Sequence, residues 1–297
     1  MFAAGNLAQC ERKMDEEDRY FKIILQIINA RHGLDFSQYQ ENTIKRRLSR
    51  RLAATRANGY REYVAIIEND PEESKRLIKD FTIKVSRFFR DRQVFELLSG
   101  EILPDLFHSK KNRHDRDLRI WCAGCAFGEE AFSMAIILAE YMEKTGEHIT
   151  GDNIAIFGSD IDDEALNRAV KGVFNAEAVV EVGEKTLDTY FLHDGDNHYQ
   201  VIDSIKEMVT FCNHDITSQR RRSPAAGVVA NYDLILCRNL LIYFTDPLQQ
   251  RAFLNLFNSL NPGGYLILGK SESIPPELKD FFIMKYANMK IYQKILK

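Results

Sequence analysis

Apolar positions along the chain first fall into order at Tyr20. Phe21, Ile24, Leu25 and Ile28 recur at helical spacing, and Gly33 offers a C-cap before Leu34 and Phe36. Residues 1–18 are polar and aperiodic and read as a mobile tail. A second helix begins near Ser37, turns Ile44, Leu48 and Leu52 inward and ends at Gly59. Residues 60–68 and 71–83 make two more helices, the last with Asp70 as N-cap and Pro71 in its first turn. Residues 19–83 are therefore an all-helical domain, small but large enough to fold.

Residues 84–117 form a linker and connecting helix: KVSRFFRD, an apolar-periodic run from Val94 to Phe107, then a strongly charged loop over 108–117. The period changes at Leu118. LRIWCAG, IAIFGSDID, MVTFCNHDI, YDLILCRN, GYLILG and MKIYQKI read as strands, and FSMAIILAEYM, DEALNRAV and LQQRAFLNLFNSL as helices between them. That alternation predicts an α/β fold with a doubly wound, mostly parallel sheet across residues 118–297. Residues 173–207 break it: TLDTYFL and HYQVI flank the turn Asp194-Gly195-Asp196-Asn197, which predicts a small inserted β-subdomain. Residues 219–227, with Arg220, Arg221, Arg222 and Pro224, read as an exposed loop.

Composition narrows the setting. With 297 residues, 45% hydrophobic and 28% charged, the chain fits a globular protein of two domains. It has neither an apolar run of the roughly 18 residues a membrane span needs nor a signal-peptide layout. Five cysteines, few and odd in number, suit a reducing compartment, so the cytoplasm is the expected location. A formal charge of −3, with no aromatic stacking platform, argues against nucleic acid as a partner.

In an open parallel sheet, ligands bind beyond the carboxyl ends of the strands, where strand order reverses. Those ends carry Ala123 to Gly128, then Asp160 and Asp162, then Asp215, then Arg238 and Asn239. A carboxylate after the second strand can accept two hydrogen bonds from a ribose diol, which makes Asp160 the candidate, although Asp160 and Asp162 also suit the cap of the next helix. The first turn is not a dinucleotide fingerprint. Gly124 and Gly128 stand G-x-x-x-G, and Glu129 and Glu130 lie where a pyrophosphate would meet the helix. Two carboxylates disfavour phosphate and favour a cation such as the sulfonium and amino group of S-adenosylmethionine. Cys122 and Cys125 imitate a redox or zinc pair, but no proline separates them and no second pair exists, so they read as small packing residues and no metal is expected.

Five segments in order carry a resemblance: SRFFRD from Ser86 to Asp91, GEEAFS from Gly128 to Ser133, SDID from Ser159 to Asp162, CRNLLIYF from Cys237 to Phe244, and GGYLILGKSES from Gly263 to Ser273. Together they resemble the CheR family of chemotaxis receptor methyltransferases from about Tyr20 to the C-terminus. The resemblance implies a Rossmann-like domain that moves a methyl group from S-adenosylmethionine to glutamate side chains on the cytoplasmic helices of chemoreceptors, with S-adenosylhomocysteine as product. It implies that Arg90 and Ser86 reach the cofactor from the linker, Glu129 meets its methionine moiety and Asp160 its ribose. Asp215 and Ile216 would take the adenine side, Arg238 and Asn239 match directly, and Lys84 stands where many members have a contacting asparagine. Tyr243 resembles a tyrosine near the transferred methyl, so Arg90 and Tyr243 are the expected catalytic pair. Arg90 and Arg238 equally suit ion pairs with Glu129 and Asp160.

Lys45, Arg46, Arg47, Arg50 and Arg51 gather on adjoining helix faces through the pairs 46/50 and 47/51, either as a docking surface for the acidic methylation segment of a receptor or as a solvated face. The turn HDGDNHYQV is shorter and more acidic than the glycine-rich turn of members that grip a receptor's C-terminal tether, so no tether dependence is expected. A same-fold methyltransferase with another acceptor, and a non-catalytic cofactor-sensing module, are the rival readings.

Overall fold

The structure, a computed structural model, describes residues 2–295 except 83, 85, 114–116, 147–153, 194, 196, 221 and 225–230, and no side chains for 2–15, 112 and 113. The chain divides into two compact units, residues 1–83 with 243–248, and residues 84–242 with 249–297.

The first unit holds α1 (Phe2–His32), α2 (Glu41–Thr55), α3 (Tyr60–Asn69) and α4 (Pro71–Phe81). Residues 2–18, expected as a tail, are helical and continuous with α1. Helix α2 starts later than Ser37 because that stretch pairs elsewhere: Gln40 N–H donates to the Tyr243 carbonyl at 2.8 Å, Thr245 N–H to the Gln38 carbonyl at 3.0 Å, and Tyr39 bridges Phe244. The helix ends at left-handed Arg56, while Gly59 takes the N-cap position of α3. Asp70 caps α4 as expected, accepting from Glu72 N–H at 2.9 Å. Buried among these helices, Glu73 takes the fork of Arg51 at 2.9 and 2.7 Å and the Tyr63 hydroxyl at 2.7 Å.

The second unit opens with α5 (Arg92–Leu97), a π turn (Leu98–Ile102) and α6 (Leu103–Arg113). Most of the charged stretch expected as a loop is thus helix, which solvated charges permit in the absence of Gly or Pro. Its Lys110 turns inward to buried Asp233 at 2.9 Å.

Strand β1 (Leu118–Ala123), α7 (Glu129–Thr145), β2 (Ile154–Asp160) and α8 (Asp163–Lys171) begin the sheet domain. Next come β3 (Val173–Asn175), α9 (Glu184–Tyr190), β4 (Phe191–His193), β5 (His198–Val201), α10 (Asp203–Lys206), β6 (Val209–Asn213) and β7 (Tyr232–Cys237). After a 3-10 turn (Leu241–Tyr243) the chain closes with α11 (Asp246–Ser259), β8 (Leu260–Leu268), β9 (Phe282–Tyr286) and β10 (Ile291–Lys294). The seven-stranded sheet has the order β6-β2-β1-β7-β8-β10-β9. Its first five members run parallel, and β10 is antiparallel to both neighbours. Order reverses between β1 and β7, whose nearly continuous apolar runs suit strands covered on both faces.

Strand β9 is an edge strand whose second to fourth residues are exposed, so its sequence carries no alternation to signal it. The insertion folds as the antiparallel sheet β3-β5-β4. Phe88 anchors it, with ring centroids 4.8 Å from Phe174 and 5.0 Å from Phe191. Arg220 and Arg222 of the second insertion are exposed, while Arg221 and residues 225–227 lie outside the described residues. Among the described residues no helix is long and apolar enough to cross a membrane.

Candidate functional site

The β1 exit is a tight turn built by its own backbone. Gly124, Ala126 and Gly128 hold φ of 72, 48 and 94°, and Gly124 and Cys125 donate to the Ser159 carbonyl at 2.8 and 2.9 Å, tying the turn to β2. Packing adds its own demand: a Cβ on Gly128 would lie 2.8 Å from the Phe211 ring, and one on Gly124 2.8 Å from Leu240. Cys122 and Cys125 are reduced, and burial pushes both thiols up, as protonated packing residues require. No group able to hold a metal ion occurs among the described residues.

The two aspartates after β2 have separate jobs. Asp162 caps α8, accepting from Ala165 N–H at 3.0 Å, and its other oxygen meets Lys84. Asp160 is not that cap. It accepts from Ala126 N–H at 3.0 Å and Asp162 N–H at 3.1 Å, joining the β2 exit to the β1 turn. Burial raises its carboxyl above the ordinary range against those two hydrogen bonds.

Glu129, at the first turn of α7, is 2% exposed. Burial pushes it up to about 7, opposed by its own N–H, the charge of Arg168 and a hydrogen bond from Ser86. Its Oε2 has no hydrogen-bond partner. Lys84, Ser86 and Glu129 line a cleft of about 690 Å³ with Phe127, Arg168 and residues of β3. Arg168 stacks on Phe127 at 4.0 Å.

Arg238 leaves β7 with its side chain 3% exposed. It donates to Glu130 at 3.0 Å, to Asp91 at 2.5 Å and to the Arg90 carbonyl at 3.0 Å. Its ion pairs are thus with Glu130 and Asp91, and not with Glu129 and Asp160, the pairing the sequence held open as an alternative to cofactor contact. Asp91, in the left-handed region at φ 62°, also takes Lys270 at 2.7 Å. Burial would raise the Asp91 carboxyl, but Lys270 and Arg238 outweigh it and hold it low. The half-buried Arg90 adds its charge to Asp91 and Glu130.

On the far side of β2, Asp215 is exposed and folds onto its own turn, accepting from Thr217 N–H at 2.8 Å and Oγ1 at 2.7 Å. Ile216 is buried, and its carbonyl accepts from Asn255 at 2.8 Å. Tyr243 belongs with the helical unit, as do the five cations of α2. The second unit thus sets Lys84, Ser86 and Glu129 around one cleft, Lys84 on Asp162 two residues from Asp160, and Arg238 on the Arg90 carbonyl with Asn239 next to it in sequence, while Asp215 and Ile216 do not line that cleft.

Sequence reasoning missed Glu272. It is 4% exposed and accepts backbone N–H groups from Asn239 at 3.0 Å, Leu240 at 2.9 Å, Leu241 at 2.7 Å and Gly269 at 2.6 Å. The only available signal was an acidic residue in the GKSES turn after β8, next to the switch point.

The donor set fits S-adenosylmethionine. A buried carboxylate oxygen without a partner, on the wall of a cleft, suits a ligand ammonium group, and the acidic β2 exit suits a ribose. Comparisons with known proteins agree. The chain is 31% identical to "Chemotaxis protein methyltransferase 2" of Vibrio cholerae serotype O1, over 88% of each chain. It is 30% identical to "Chemotaxis protein methyltransferase" of Listeria monocytogenes, over 85% of this chain and 92% of that one, and 30% identical to the protein of the same name from Borreliella burgdorferi, over 84% and 87%. The family described as "CheR methyltransferase, SAM binding domain" matches residues 84–291, and "CheR methyltransferase, all-alpha domain" matches 19–82, in step with the two units. The chain belongs to the CheR methyltransferase family, with S-adenosylmethionine as its cofactor.

Proposed function

We propose that this chain esterifies glutamate side chains on the cytoplasmic helices of chemoreceptors, in the cytoplasm, as the adaptation step of chemotaxis. The observation that carries the reading is the β1 exit, where Glu129 presents an unpartnered buried oxygen beside a cleft and Asp160 closes the neighbouring strand. When bound, S-adenosylmethionine supplies an electrophilic methyl group on a sulfonium. The acceptor glutamate, with an ordinary pKa near 4.3, is ionised at pH 7 and needs no general base. The work of the protein is then alignment and exclusion of water, effects worth roughly 7–11 kcal/mol. In this reading Glu129 holds the amino group, Asp160 the ribose, Ile216 and Asp215 the adenine side, and Lys84, Ser86, Arg90, Arg238 and Asn239 frame the pocket. Arg90 and Tyr243 are the proposed catalytic residues.

The experiment is incubation with methyl-labelled cofactor and a receptor cytoplasmic domain, with and without the receptor's C-terminal tail. Base-labile methyl ester at equal rates on both substrates is the expected result. Label lost on truncation would overturn tether independence, label absent despite measurable cofactor binding would leave a binding module, and label stable to base would point to another acceptor.

The cations of α2 divide by geometry. Arg51 is held by buried Glu73, and Lys45 by Asp18 at 2.8 Å and Glu41 at 2.6 Å, whereas Arg46 and Arg50 are exposed. Arg47 is half-buried with Nε unpartnered. Docking is therefore assigned to Arg46, Arg47 and Arg50. Arg46→Glu with Arg50→Glu should lower kcat/KM for the receptor about tenfold at low salt and less at high salt, with cofactor affinity unchanged. Arg51→Ala should instead lower stability by about 2 kcal/mol by removing a charged partner of Glu73. Equal receptor kinetics for the double variant and the wild type would remove the docking role.

A further inference from the structure

Strands β7 and β8 lie side by side in parallel register, Cys237 opposite Leu268, so the residues that leave them, Asn239 and Gly269, sit next to each other beside the switch point. A single carboxylate spans both exits. Glu272 Oε2 accepts from Asn239 N–H at 3.0 Å and Gly269 N–H at 2.6 Å, and Oε1 accepts from Leu240 at 2.9 Å and Leu241 at 2.7 Å. The side chain is buried, and a charged acceptor makes stronger bonds to amides than a neutral one.

What this carboxylate holds is a strained turn. Asn239 has φ 59°, a left-handed conformation that Asn tolerates better than most residues but that persists only where its surroundings fix it. Three successive amides pointed at one carboxylate, those of Asn239, Leu240 and Leu241, supply that fixing. The fit leaves no slack on the opposite wall. A Cβ on Gly269 would lie 2.7 Å from Glu272 Oε2, 2.8 Å from the Asn239 nitrogen and 3.0 Å from the Asn239 side-chain nitrogen. That position needs glycine for space, since its φ is not in the left-handed region.

We infer that Glu272 is a positioning residue for the cofactor pocket: it touches no reactant, and it sets the turn from which Asn239 presents its side chain. The inference rests on the proposed reading of Asn239 as a cofactor contact. Glu272→Gln keeps the shape, but one of the two amide pairs then faces an NH₂ group instead of an acceptor, so the turn loses its fixed geometry.

The test titrates S-adenosylhomocysteine into the full chain and into Glu272→Gln, Glu272→Asp, Asn239→Ala and the double variant Glu272→Gln/Asn239→Ala, recording the thermal midpoint of each. Glu272→Gln and Asn239→Ala should each weaken binding about tenfold, and the double variant should bind no more weakly than Asn239→Ala alone, because the two act through one contact. Glu272→Asp, which keeps the charge on a shorter arm, should fall between Glu272→Gln and the wild type. Losses that add in the double variant, or wild-type affinity in a folded Glu272→Gln, would overturn the positioning role. Should Glu272→Gln not fold, Glu272→Asp and the double variant Glu272→Asp/Asn239→Ala decide: weakened binding by Glu272→Asp that does not add in that double variant supports the role, and unchanged binding or an additive loss overturns it. A wild-type chain that binds no S-adenosylhomocysteine overturns the functional reading itself and this inference with it. Unchanged binding by Asn239→Ala, with wild-type binding intact, overturns the inference alone.

Discussion

Arg238→Ala is expected to destabilise the sheet domain by about 3–5 kcal/mol, the range for stripping one partner from a buried ion pair. The argument is one of stranded charge. Arg238 is 3% exposed at the end of a central strand, and the two carboxylates it serves, Glu130 and Asp91, are 14% and 18% exposed. Truncation removes three hydrogen bonds and leaves both acids in an environment that already penalises charge, since burial raises Glu130 despite Arg238 beside it. Lys270 still reaches Asp91 but not Glu130 among the ion pairs of the described residues, so Glu130 is the acid left with only the charge of Arg90 acting on it and no ion-pair partner. A whole domain is stable by only about 5–15 kcal/mol, so the variant should unfold at much lower denaturant than the wild type. The loss should be smaller at pH 5 than at pH 8, because Glu130 can then take up a proton instead of standing charged. Arg238→Lys should recover only part, since an ammonium cannot span Glu130, Asp91 and the Arg90 carbonyl as a fork does. A loss below about 1 kcal/mol in urea titrations would mean that the site is wet and the ion pairs are worth no more than surface ones.

The strand runs, the helical domain, the β-insertion and the Asp70 cap were legible because each is written in local spacing or in one residue's propensity. Partner choice was not. Glu129 and Glu130 are adjacent in sequence, yet successive helical residues point about 100° apart, so one faces the cleft and the other faces Arg238. Nothing in the periodicity says which. The start of α2 was misplaced for a related reason: residues 38–40 pair with residues 243–245, and a segment two hundred positions away leaves no trace in the local pattern. Glu272 was invisible because its work is done by backbone amides, which every residue has. Asp160 and Asp162 both looked like caps, and only hydrogen-bond partners separate the one that caps α8 from the one that clasps the β1 turn.

Glu129→Gln should make the cofactor-free protein more stable at pH 8 while abolishing the pH dependence of cofactor binding. The Glu129 carboxyl, ordinarily 4.5, is pushed up to about 7 by burial. Between those values the folded protein keeps a proton that the unfolded chain has released, so stability falls as pH rises through this window, and the penalty is complete above pH 7. The size of that penalty is about 3 kcal/mol, from a separation of two to three pKa units. Glutamine carries no such term. The unfolding midpoints of variant and wild type should therefore nearly coincide at pH 5 and separate toward pH 8, with the variant higher. Ligand binding should run the other way. An ammonium group meeting the unpartnered Oε2 requires the ionised acid, so wild-type affinity for S-adenosylhomocysteine should drop about tenfold per unit below pH 7, while the variant binds weakly and evenly across the range. With one oxygen unpartnered and reluctant to ionise, the acid lowers the stability of the empty protein and regains its charge where a cationic ligand meets it, a trade expected of a binding residue and not of a structural one. Parallel pH profiles of stability for variant and wild type would show that Glu129 keeps its charge in the folded chain, and the ammonium assignment would go with it.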